Sequence, residues 1–115
     1  MNQIRRVLTA LALGGVAATA CMEGLPAPNA LDAERVTKRW PGVKTADLEH
    51  GRSLYAMRCS RCHELYEPSA YPANHWEASV REMNDRAGLT FDEERLVVQY
   101  LVAVASREAK HSSAN

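Results

Sequence analysis

The chain has 115 residues with 14 basic and 14 acidic side chains, a formal charge of zero, and three cysteines. That balance offers no strongly basic face for nucleic acid, and the length suits one small domain whose core needs a covalent or metal staple. No Ser/His/Asp grouping, phosphate-binding loop or paired-carboxylate site points to an enzyme.

The N-terminus reads as an export signal. Arg5 and Arg6 precede Val7–Ala20, a run of 14 mostly apolar and small residues, shorter than the about 20 that a membrane-spanning helix needs. The residues flanking the two arginines fit a twin-arginine signal poorly. Residues 1–20 are therefore expected to be a signal peptide cut after Ala20, which places the mature chain in the periplasm. The following Cys21 resembles the acylated cysteine of bacterial lipoproteins, with Ala18 where that pattern usually has leucine. We read Cys21 as a lipid anchor, and Met22 after it resembles the outer-membrane type. The other reading of this odd cysteine is a free or disulfide-bonded thiol in a soluble protein. Loss of residues 1–20, which hold two arginines and no acid, would leave a formal charge of −2.

Residues 21–40 read as a flexible linker, punctuated by Gly24, Pro26 and Pro28. Within it, Asn29 is placed to cap a short helix over Leu31–Arg39, which Trp40-Pro41-Gly42 would end. A firmer helix is expected from about Ala46, with Thr45 as cap and Asp47 in the first turn. Leu48, Gly51, Tyr55 and Cys59 share one side of it.

This helix leads into Cys59-Ser60-Arg61-Cys62-His63, the Cys-x-x-Cys-His form of covalent c-type haem attachment. Two thiols about one helical turn apart can add to two vinyl groups on one haem edge, and His63 can turn its imidazole under the iron. Three other readings compete. A thioredoxin-like pair needs a βαβ context that the chain lacks. A zinc site needs four ligands, and the histidines lack zinc-finger pairing. A simple disulfide leaves His63 unexplained.

A proline-containing loop, Leu65–Tyr71, follows, and a helix is expected from Pro72 to Gly88. Its apolar face is Trp76, Val80, Met83 and Ala87. Of the four methionines, Met1 and Met22 lie at the signal and anchor, and Met57 is too close to Cys59 to reach round a macrocycle. Met83, 20 residues after His63, is therefore read as the second axial ligand. His75 is the rival, and plain core packing is the ordinary role of such a methionine. Thr90 and Glu93 form a capping box that opens the last helix. Leu96, Val97, Tyr100, Leu101 and Val104 give it an apolar stripe to about Ala105, and residues 111–115 read as a disordered tail. No strand is expected.

With these residues placed, residues 41–110 are expected to be one domain, and about 41–105 of it resemble the small monohaem class I cytochrome c family. The resemblance implies an all-α fold of three to four helices around one covalent haem c. It implies that Gly51 and Tyr55 pack against Val97, Tyr100 and Leu101, and that Trp76 and Val80 precede the ligand Met83. In that family a proline carbonyl accepts the proximal histidine's ring N–H, and here Pro68 and Pro72 both qualify. Trp76 is a candidate propionate donor, its other role being a large buried ring. A haem held by His63 and Met83 has no vacant site, which implies an electron carrier working with membrane-associated redox partners. The alternatives are a five-coordinate haem that binds a diatomic gas or peroxide, and a haem subunit of a larger oxidoreductase.

Overall fold

The computed structural model describes residues 24–112, with side chains to Arg107. The expected signal peptide, Cys21 and the last three residues of the expected tail lie outside the described residues. Four α-helices and no strand appear among the described residues: α1 (Ala30–Val36), α2 (Thr45–Leu54), α3 (Ala73–Ala87) and α4 (Phe91–Ser112). A π-helical turn, Tyr55–Cys59, extends α2, and a 3-10 turn, Pro68–Ala70, precedes α3.

The helix ends follow local chemistry. Asn29 opens α1 with a reciprocal box: its side chain accepts from the Asp32 N–H at 3.2 Å, and Asp32 accepts from the Asn29 N–H at 2.8 Å. Asp47 accepts from the Lys44 N–H at 2.8 Å, so α2 starts one residue earlier than expected. Gly88 closes α3 in the left-handed region, φ +63°, donating to the Asn84 carbonyl. Thr90 and Glu93 open α4 as the sequence predicts, with bonds of 2.9 and 3.2 Å. That helix runs on to Ser112, past the expected end near Ala105, so His111 and Ser112 of the expected tail are helical.

The core is centred on α4. Every residue from Val97 to Ala105 is buried, so the helix is covered on all sides rather than along one stripe. On one side α2 comes close through Gly51. A methyl group there would lie 2.0 Å from the Leu96 carbonyl oxygen and 3.0 Å from Tyr100 Cβ, so only glycine allows this approach. The expected aromatic pairing follows: the Tyr55 and Tyr100 ring centroids are 6.5 Å apart.

α3 and the Pro68–Ala70 turn pack on a second side of α4; residues 24–40 cover another, and here the structure differs from the expected linker. Leu25, Ala33 and Val36 are buried. Three consecutive carbonyls are gripped by side chains of the body: Leu25 by Arg52 at 2.9 Å, Pro26 by the Tyr100 hydroxyl at 2.9 Å, and Ala27 by Arg107 at 2.8 Å. Arg107 also makes a two-pronged ion pair with the buried Asp32 carboxylate, at 2.9 and 2.5 Å. Burial would raise the Asp32 carboxyl, but the Arg107 bond and charge, with the Asn29 N–H and Arg35, outweigh it and hold the group below its ordinary value. Glycine and proline marked this segment as loop-like; long-range polar contacts order it.

Candidate haem site

The π-turn at the end of α2 carries the first cysteine into the interior. Cys59 is buried and Cys62 exposed, and both thiols are free. Burial and then the nearby Cys62 push the Cys59 thiol up to about 11, so it stays protonated at neutral pH. The Ser60 hydroxyl donates to the Ala56 carbonyl at 2.5 Å, bracing the end of the π-turn where the chain passes into the turn that carries Arg61 and Cys62. Arg58 ties the motif to the junction of α3 and α4, donating to the Gly88 carbonyl at 3.0 Å and meeting Glu93 at 3.3 Å.

His63 is exposed. Its Nδ1 lies 2.6 Å from the Glu64 carbonyl oxygen. A carbonyl only accepts, so this nitrogen carries the proton and Nε2 keeps its lone pair for a metal. Neither proline named from the sequence has this role. The Pro68 carbonyl instead accepts from the Trp76 indole N–H at 2.8 Å. That corrects the reading of Trp76 as a propionate donor: its one polar hydrogen is spent inside the protein.

A second buried ring acts on the same loop, the Tyr55 hydroxyl donating to the Tyr66 carbonyl at 2.8 Å. Two rings from different helices thus fix the loop after His63 at Tyr66 and Pro68. Burial pushes the Tyr55 hydroxyl well above its ordinary value, so it remains a donor. Aromatic contacts line the loop: His63 to Tyr66 at 5.6 Å, Tyr66 to Tyr71 at 5.5 Å, and Tyr71 to Trp76 at 5.5 Å between centroids. The parts played by Tyr66 and Tyr71 were not read from the sequence, where two tyrosines flanking a loop proline carry no periodic signal.

Cys59, Cys62, His63 and Met83 line one cleft of about 80 Å³, together with Arg58, Arg86 and Ala87. His63 and Met83 also line a larger cavity of about 300 Å³, with Tyr66, Tyr71, His75, Trp76, Ser79 and Glu82. Trp76 and Val80 are buried as expected, whereas Met83 and Ala87 are only half-buried at the cleft wall. His75 is exposed and stacks on Tyr71 at 4.3 Å, yet it too faces the larger cavity. Two free thiols, one imidazole with an available nitrogen and one thioether form a donor set that fits a covalently held haem. No group of three or more His, Cys, Asp or Glu side chains suits a bare metal ion among the described residues.

The description "Dihaem cytochrome c" belongs to the family whose profile matches residues 55–115, from Tyr55 through the cysteine motif and across α3 and α4. Among curated proteins, the cytochrome c-type protein TorY of Haemophilus influenzae is 36% identical over 70 residues, covering 57% of this chain and 19% of that protein. The chain therefore spans about a fifth of the length of that relative. No solved structure matches.

Proposed function

The chain belongs to the dihaem cytochrome c family, and from that premise we propose that it holds a single covalent haem through Cys59 and Cys62, with His63 and Met83 as axial ligands, and carries one electron at a time. It is a c-type cytochrome, an electron-transfer protein of all-α fold. The observation that carries the finer reading is the cleft shared by the two free thiols, His63 and Met83. The family description speaks of two haems, while the sequence has one Cys-x-x-Cys-His motif. One attached haem is the reading its cysteines support.

When bound, the haem supplies a metal that changes charge by one unit. The chain's residues do the rest. His63 is kept in the binding tautomer by the Glu64 carbonyl, and its loop is held by Tyr55 and Trp76. Met83, a thioether, would favour ferrous iron and raise the potential. Together they would leave no open position for a gas or peroxide. Export to the periplasm and acylation of Cys21 complete the proposal and rest on the sequence alone.

A fixed place in a larger oxidoreductase is the second reading. It is favoured by the match of this chain to a fifth of a longer c-type protein. Gel filtration of native membrane extracts separates a free carrier from a bound subunit.

Intact mass of the purified protein, read with its ferric near-infrared spectrum, tests the main reading. We expect the mass of one haem, and of acyl chains at Cys21. We also expect a sulfur-to-iron band that Met83→Ala abolishes, with a fall in potential of about 0.1 V or more. High-spin ferric iron in the unaltered protein, or avid uptake of carbon monoxide by the reduced form, would sink His/Met ligation.

A further inference from the structure

A haem attached through its vinyl groups carries its propionates on the opposite edge. The smaller cleft holds both thiols. The larger cavity shares His63 and Met83 with that cleft but holds neither thiol, so it suits the edge remote from the cysteines. Its polar lining includes Tyr66, Tyr71, His75, Ser79 and Glu82, and no lysine or arginine lines it. The Trp76 indole is already given to the Pro68 carbonyl. His75, Ser79 and Glu82 follow one another at four and three residues along α3, the spacing of one helical face. The exposed His75 imidazole and the half-buried Ser79 hydroxyl make no hydrogen bond among the described residues. Stacking on Tyr71, at 4.3 Å and 21° between planes, orients the His75 ring and leaves both of its nitrogens free. Apart from the ligand His63, His75 is the one side chain of this lining that can carry positive charge.

We propose that His75, with Ser79 beside it, binds a haem propionate and takes up a proton when the iron takes up an electron. The proposal rests on Cys59 and Cys62 being the thiols that carry the haem. Ferrous iron has one positive charge fewer than ferric, so the reduced protein holds a proton on a nearby imidazole more tightly. The electron comes from the redox partner and the proton from water at the exposed ring, and both leave on reoxidation. Ser79 and the Tyr71 hydroxyl are neutral donors that can share the propionate. The other titratable groups facing His75 are Tyr66 and Tyr71 from the loop, Glu82 on α3 and the ligand His63. Glu82 adds a negative charge to the propionates, which leaves His75 to balance that edge.

Spectroelectrochemistry of the holoprotein tests this, with the ferrous-to-ferric ratio read at one fixed applied potential. The ratio falls about threefold or more from about pH 5 to about pH 8, the range in which an imidazole loses its charge. His75→Gln keeps a donor but no charge, and flattens the fall. His75→Lys keeps the charge and holds the ratio high throughout. His50→Gln, at an exposed histidine of α2 that lines neither cavity, leaves the fall unchanged. The infrared carboxylate bands of the propionates shift over the same range, and His75→Gln removes that shift. An identical fall in His75→Gln overturns the proposal, because a propionate or Glu82 would then carry the proton. A flat response in the unaltered protein also overturns it. So does loss of the low-spin ferric spectrum in His75→Gln, since the imidazole would then hold the iron. A protein without haem fails the earlier reading and this one together. A haem-bearing protein with the Met83-dependent band and a flat pH response fails this one alone.

Discussion

Gly51 is the position where one atom decides most. Its missing side chain lets the Leu96 carbonyl of α4 come within 2.0 Å of where a methyl would sit. Gly51→Ala is expected to cost about 3 kcal/mol or more, because backbone cannot yield as a side-chain tip can. A thermal melt of the holoprotein reads it, and an unchanged midpoint would remove the close approach from the account. Trp76 and Tyr55 make a second kind of single-residue claim. Trp76→Phe keeps a buried ring but leaves the Pro68 carbonyl without its donor, and Tyr55→Phe does the same at Tyr66. Each should cost about 1–3 kcal/mol. Each should also shift the potential or the histidine's spectroscopic signature, since both bonds hold the loop after His63. Loss of stability with an unaltered spectrum would make them packing residues only.

Among the helices, what could be read in advance was what is written locally. The Thr90/Glu93 box, the Gly88 stop and the apolar spacing of Trp76 and Val80 are short-range chemistry, and the structure has all of them. The Cys-x-x-Cys-His run was equally legible, because its meaning lies in five adjacent residues. Two things were not. The π-turn at Tyr55–Cys59 has no sequence marker of its own. The acceptors for Trp76 and His63 depend on how a loop folds back, which spacing cannot specify. The capping claim is measurable: Thr90→Ala should cost about 1 kcal/mol in urea unfolding, and Thr90→Ser should restore most of it. Failure of the serine to rescue would show that the α4 start is held by packing instead.

Across the whole molecule, the segment before α2 keeps the Asn29-capped helix that its residues announce, and long-range pairing orders the stretch that its glycine and prolines mark as linker. Asp32 and Arg107 are 75 residues apart and form the ion pair that fastens α1 to α4. Asp32 is held below its ordinary carboxyl range, so the unfolded chain binds that proton more readily than the folded one. Its stabilising contribution is therefore complete above about pH 4 and is lost as pH falls through the lower folded value. Urea midpoints between about pH 2 and pH 6 should show this acid limb, and Asp32→Asn should flatten it. An identical limb in the variant would assign acid sensitivity to other carboxyls. The grip on Leu25, Pro26 and Ala27 also sets a distance. Only three residues separate Cys21 from Leu25, a leash of about 14 Å when fully drawn out. If Cys21 carries the acyl chain proposed for it, the haem domain rides close against the bilayer. It could then reach only those partners that come to the lipid surface, and lengthening this leash with inserted Gly-Ser pairs would widen its range.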